Sequence, residues 1–314
     1  MKYKRMGNSG LNVSAVGLGT NNFGMRMDYE STELVLKKCL DQGINFIDTA
    51  NIYGGRGKSE EFIGQALVGT RDKYLLATKV SGPMGDGPND RGNSRKHIMD
   101  EVENSLRRLQ TDYIDLYQIH FTDPETPIDE TIRVLDDLVH QGKVRYIGCS
   151  NFAGWQLTEA LWTSIHEHLT SFISIQSQYS MLERDVEREV LPVCTAYDLS
   201  FIPYSPLAGG FLTGKYQRGA DIPEGTRFAG NQRAQSRFLT DSNYDVLEGL
   251  EQFAQERDHT IGELAIAWLL NNSSIDSVIS GATSEEQVVN NAKAAEWELT
   301  TDDMESLDEI LNAK

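Results

Sequence analysis

The chain has 314 residues, with 29 Lys plus Arg against 47 Asp plus Glu and a formal net charge of −18. Hydrophobic residues at 39% and charged residues at 24% describe a globular protein with ample material for a core. The acidic balance argues against a surface that neutralises nucleic-acid phosphates and against a polybasic patch for anionic membranes.

The first residues, MKYKRMGNSGLNV, read as a short hairpin over 2–13, its arms KYKRM and LNV joined by Gly-Asn-Ser-Gly and suited to plug one end of a larger fold. They contain no signal-peptide apolar run, and no later stretch reaches the ~18 to 20 apolar residues of a membrane span. Three cysteines, Cys39, Cys149 and Cys194, are too scattered for a disulfide framework or a metal set. A cytoplasmic protein without metal, membrane or nucleic-acid partner is expected.

Eight strand-like runs follow, at 14–20, 45–50, 74–80, 114–120, 144–150, 172–179, 200–206 and 276–282. Several are apolar at nearly every position, which suits parallel strands buried on both faces. Helical periods lie between them. Ile98, Val102, Leu106 and Leu109 form one stripe, and Ile128, Ile132, Leu135, Leu138 and Val139 another. The run Thr283-Ser284-Glu285-Glu286-Gln287 has the capping hydroxyl and acidic first turn of a helix start.

Eight such units in about 280 residues predict a (β/α)8 TIM barrel, with an N-terminal hairpin and one long loop at 208–242 after the seventh barrel strand. An open doubly wound sheet would want G-x-G-x-x-G after its first strand, but Gly17, Gly19 and Gly24 have the wrong spacing. Without repeat, linker or low-complexity block, residues 1–314 are expected to form a single domain.

Barrels carry their chemistry at the C-terminal ends of the strands. Asp48, Lys79 and His120 lie at three consecutive strand ends, and Tyr53 follows Asp48. Each alone has an ordinary reading, as turn residue, snorkelling cation, structural imidazole or rim aromatic. Together they form a proton-transfer set. A phenol near its usual pKa of ~10 is a weak donor at neutral pH, and a neighbouring ammonium is expected to lower that value. Asp48 would hold Lys79 charged, and His120 would orient a carbonyl oxygen toward Tyr53.

The ordered motifs GLGTNNFG, DTANIYGGRGKSEEFIG, ATKV, DYIDLYQIH, GKVRYIGCSNF, YSPLAGGFLTGKY and SGATSEEQVVNN resemble the aldo-keto reductases over the whole chain. The opening hairpin and YSPLAGG are most similar to the bacterial and potassium-channel-β-like branch. The resemblance implies a nicotinamide cofactor, NADPH/NADP with NADH possible, and Asp48, Tyr53, Lys79 and His120 as catalytic tetrad. It further implies cofactor contacts from Gly19, Thr20, Asp48, Ser150, Asn151, Gln178, Tyr204, Ser205, Pro206, Leu207, Gly209, Lys215, Gly281, Thr283, Gln287 and Asn291. Arg227, in PEGTRF, resembles the segment folded over the adenosine phosphates.

The expected function is therefore NADPH-dependent reduction of a small-molecule aldehyde or ketone, with Tyr53 as general acid. Phe121 after the tetrad histidine, and Gly281 and Gln287 in place of basic residues, depart from common family patterns. The expected pocket rim is Asn22, Phe23, Tyr53, Phe121 and parts of 208–242. The alternatives are a redox-sensing regulatory subunit similar to channel β subunits, which typically carry Asn where this chain has His120, or a sugar or alcohol dehydrogenase working oxidatively. No partner-binding extension is expected ahead of Met1. Oligomeric state and physiological substrate are not legible.

Overall fold

The computed structural model describes residues 1–312. A hairpin of β1 (Tyr3–Arg5) and β2 (Asn12–Ser14) precedes eight strands, β3 (Val16–Gly19), β4 (Phe46–Asp48), β5 (Leu75–Val80), β6 (Ile114–Ile119), β7 (Val144–Ser150), β8 (Ser174–Gln178), β9 (Ser200–Tyr204) and β10 (Val278–Gly281). Each of these eight pairs in parallel with the next, and β10 returns to β3 with Val278 opposite Val16 and Gly281 opposite Gly19. The barrel is closed, as the alternation predicts.

The helices are α1 (Tyr29–Asp41), α2 (Tyr53–Arg56), α3 (Lys58–Ala66), α4 (Arg95–Leu109), α5 (Ile128–His140), α6 (Gly154–Glu167), α7 (Val190–Tyr197), α8 (Gln232–Phe238), α9 (Asp241–Gln255), α10 (Ile261–Leu270), α11 (Glu285–Ala294) and α12 (Thr301–Asn312). Local chemistry sets their limits. Ser94 accepts from the His97 amide to open α4, which buries Ile98, Val102, Leu106 and Leu109 and ends on Gln110 in the left-handed region. Ser284, rather than Thr283, caps α11 through the Gln287 amide.

The hairpin closes the N-terminal end of the barrel. Met6 and Val13, both fully buried, pack with Phe46, Ala77, Leu116, Ile173, Ile202 and Ile279 inside it. Burial of such side chains stabilises by roughly 1.5–3 kcal/mol each. Gly7 is positioned by a hydrogen bond from its amide to Asp276, and at φ +50 its bare Cα passes the Ile173 and Asp198 carbonyls, where a Cβ would meet backbone at 2.7 Å. With one end filled, the opposite mouth is left for chemistry.

The long segment after β9 is less featureless than its sequence. It contains a 3-10 turn at Ala208–Thr213 and the helix α8. Its order comes from aromatic packing, with Tyr216 stacked on Phe228 at 4.3 Å, Phe228 on Phe238 at 5.6 Å, and Phe211 edge-on to Tyr244.

Candidate active site

The strand register assembles the mouth. Gly19 lies opposite Asp48, Lys79 opposite Gln118, Ser150 opposite Gln176 and Tyr204 opposite Gln178 and Ile279. Above this ring a cavity of about 950 Å³ runs from the tetrad to the N-terminus of α11. Gly19, Thr20, Asp48, Tyr53, His120, Ser150, Asn151, Tyr204, Ser205, Pro206, Leu207, Gly209, Lys215, Arg227, Gly281, Thr283, Gln287 and Asn291 all line it. Lys79 lies beneath, with no exposed surface.

Two residues expected at the site lie off the cavity lining. Gln178 is one of them, and its amide donates to Glu183. Gln176, two residues earlier on the same face of β8, lines the cavity. Phe23 is wholly buried in the core rather than on the rim, whereas Asn22, Tyr53 and Phe121 are on the rim as expected.

Asp48 anchors the floor. Lys79 Nζ donates to its Oδ2 at 2.6 Å and to the Thr49 carbonyl at 2.9 Å. The other carboxylate oxygen accepts from Gln118 at 3.1 Å and Gln176 at 2.8 Å. Neither glutamine carries any sequence signal beyond being polar in an apolar strand. Burial opposes the Lys79 charge, yet Asp48 and Tyr53 hold its pKa above the usual lysine value.

Tyr53 opens the single turn α2, with Lys79 Nζ 5.1 Å from its ring centre and the His120 ring edge-on at 5.7 Å. Burial pushes the phenol above its usual 10, Lys79 pulls it down, and Asp48 adds to the rise. The net direction is upward, opposite to the sequence expectation, because desolvation outweighs the ammonium. His120 stacks flat on Phe121 at 4.1 Å. Burial, aided by the Lys79 charge, pushes its pKa from 6.5 down to about 2, so the ring is neutral. Its buried Nδ1 has no protein partner among the described residues.

The walls are held in costly conformations. Asn151, Ser205 and Ala208 have φ of 61, 56 and 48 where β7 and β9 end; such positions cost of order 1–3 kcal/mol each and cluster at functional sites. Asn151 donates to the His120 carbonyl at 3.0 Å and accepts from the Tyr204 hydroxyl at 2.9 Å, fixing the Tyr204 ring. Gln287 Oε1 accepts from the Thr283 amide at 2.9 Å and orders the approach to α11.

The cavity lining carries three cations, Arg26, Lys215 and Arg227, alongside Glu224 and Glu263, and none of the three cations has a carboxylate partner among the described residues; Lys215 and Arg227 lie against Gly210 and Gly209. Burial, with Arg26 nearby, holds the Arg227 pKa below its usual value. Cations without a carboxylate partner in a chain of charge −18 suit an anionic ligand. Gly209 and Gly210 add a cradle, since a Cβ there would meet Phe228 at 2.9 Å or Lys215 Nζ at 2.8 Å. A tyrosine ring fixed beside the tetrad, cations against the Gly209–Gly210 cradle and the N-terminus of α11 on the same cavity fit a phosphate-bearing nicotinamide cofactor. Sequence reasoning missed Gln118, Gln176 and Arg26. No His/Cys/Asp/Glu cluster among the described residues has the makings of a metal site, and no described helix is long and apolar enough to cross a membrane.

The Aldo/keto reductase family model matches residues 15–312. The chain is 40% identical to a probable voltage-gated potassium channel subunit beta of Arabidopsis thaliana, over 94% of this chain and 92% of that protein. It is 38% identical to an uncharacterized oxidoreductase of Bacillus subtilis, over 99% and 96% of the two chains. An L-glyceraldehyde 3-phosphate reductase of Escherichia coli O157:H7 is 34% identical, over 94% and 87%.

Proposed function

Because the chain belongs to the aldo/keto reductase family, we propose that it reduces an aldehyde or ketone with NADPH, and that Tyr53 donates the proton to the carbonyl oxygen. The observation that carries this reading is the convergence of Tyr53 and His120 on one cavity above the buried Lys79–Asp48 pair.

When bound, the nicotinamide supplies the hydride. Ser150, Asn151 and Gln176 would hold its carboxamide and Tyr204 would lie against the nicotinamide ring. Ser205 to Gly209 would receive the pyrophosphate, and Arg227, Arg26 and Lys215, with Thr283, Gln287, Asn291 and the first amides of α11, would receive the remaining phosphate.

Tyr53 holds its proton on Oη at neutral pH because burial keeps its pKa high. The protonated phenol is therefore the resting state, and Lys79 stabilises the phenolate as the proton leaves. Neutral His120 donates an N–H to the carbonyl oxygen and orients it. In alcohol oxidation the same phenolate accepts the proton, so the residues serve either direction.

A second reading, a cofactor-binding regulatory subunit, rests on the name of the Arabidopsis relative. A panel of aldehydes and ketones, followed by loss of reduced-cofactor absorbance with NADPH and NADH, separates the two. Turnover of at least one carbonyl class with NADPH supports the reductase. Tight cofactor binding without turnover of any member supports the regulatory subunit.

A further inference from the structure

Behind the tetrad, on the helix side of β4 and β5, lies an ion network that the proton transfer does not use. Arg108 on α4 donates through Nε to Glu60 on α3 at 2.6 Å and through Nη2 to Glu101 at 3.3 Å. Glu60 is fully buried and accepts from Thr78, next to Lys79 on β5, at 2.5 Å. Glu101 accepts from the side-chain amide of Asn51 at 2.9 Å. Asn51 is itself fully buried, two residues before Tyr53, and its backbone amide donates to the Lys79 carbonyl at 3.1 Å. The Arg108 methylenes also cover the bare Cα of Gly57, which has φ 114 and ends the turn that Tyr53 opens; a Cβ there would meet Arg108 at 2.6 Å.

We infer that the Glu60–Arg108–Glu101 triad is a positioning device for the general acid, setting the distance of the Tyr53 turn from Lys79 by gripping Asn51 and Gly57 on one side and Thr78 on the other. This inference rests on the reading of Tyr53 as proton donor. Stability alone does not account for the triad. Buried ion pairs are often no more stabilising than well-packed apolar side chains of the same volume. Asn51 reinforces the point, because its Oδ1 has no protein partner among the described residues. A buried amide with one end unsatisfied is retained at a cost, and its other end spans the gap between α4 and the Tyr53 loop. Misplacement by about 1 Å can cost on the order of 100-fold in rate, so a fixed spacer here acts on chemistry without touching it.

The test uses Arg108→Met and Asn51→Ala in the full chain. The second cuts only the link from Glu101 to the loop and decides the matter if the first fails to fold. Expected for folded Asn51→Ala is a fall in kcat of about 10- to 100-fold, with the NADPH Kd, read by calorimetry, within twofold of the parent. A loosened Tyr53 loses the pull of Lys79, so its pKa rises and the acid limb of the alcohol-oxidation pH profile moves to higher pH. An unchanged kcat, or a lower kcat with the acid limb unmoved, overturns the inference. Failure of the underlying reading is distinct, because Tyr53→Phe would then keep its turnover while the network variants were still measurable.

Discussion

Asp48 and Lys79 meet at 2.6 Å with almost no exposed surface on either side chain. The remaining oxygen of Asp48 is taken by Gln118 and Gln176, so the carboxylate is a hub for three strands rather than a simple counter-ion. Removing either partner leaves the other buried and misplaced. The double variant Asp48→Asn with Lys79→Met is therefore expected to be little worse in kcat/KM than the poorer single variant. Losses that simply multiply in a full cycle would contradict coupling.

His120 gives a pH prediction with a definite sign. Its folded pKa, about 2, is far below its usual 6.5. Protons then favour the unfolded chain, so the stability associated with the neutral ring is complete above about pH 6.5 and is lost as the pH falls toward 2. Denaturant midpoints of the parent should fall faster than those of His120→Asn across that window. Ring resonances of His120 should not titrate between pH 5 and 8, and a titration there would refute the neutral assignment.

Much of this was legible in the sequence, for identifiable reasons. Parallel strands buried on both faces stand out as apolar runs, and polar residues at their C-terminal ends mark the mouth. Gln176 and Gln178 could not be told apart, because residues two apart share a face and only the bond that ties Gln178 to Glu183, and Gln176 to Asp48, separates them. Gln118 was invisible because a buried amide has no spacing signature. The order of 208–242 was also hidden, since aromatic stacking among Tyr216, Phe228 and Phe238 has no helical or strand period. The direction of the Tyr53 shift depends on burial, which a list of charged neighbours does not contain.

The expected cofactor preference rests on Arg26, Lys215 and Arg227, which line the cavity without a carboxylate partner among the described residues. NADPH is expected over NADH by at least tenfold in kcat/KM, roughly 1.4 kcal/mol of discrimination. Arg227→Ala should raise the KM for NADPH and leave NADH kinetics nearly unchanged. Equal losses with both cofactors would place Arg227 on the shared pyrophosphate and end the argument.

Gly64 makes a stability prediction at the contact between α3 and α4. A Cβ at this position of α3 would lie 2.3 Å from the Arg108 carbonyl of α4, a contact with backbone that cannot rotate away. Gly64→Ala should destabilise by about 1–3 kcal/mol despite the better helix propensity of alanine. A thermal midpoint equal to or above that of the parent would show that α3 and α4 separate more easily than their packing implies.

The central claim is that the Tyr53 hydroxyl gives up the proton, and Tyr53→Phe tests it most directly because the ring and its packing remain while only the hydroxyl is lost. Pre-steady-state reduction of a good carbonyl substrate, with chemistry shown to be limiting by a deuteride isotope effect, should slow by at least ~10² to 10⁴-fold. The NADPH Kd should stay within a factor of about two, since the proposed cofactor contacts do not include that hydroxyl. A variant that keeps more than about a third of the parent rate of the chemical step would contradict the account and require the proton to come from elsewhere.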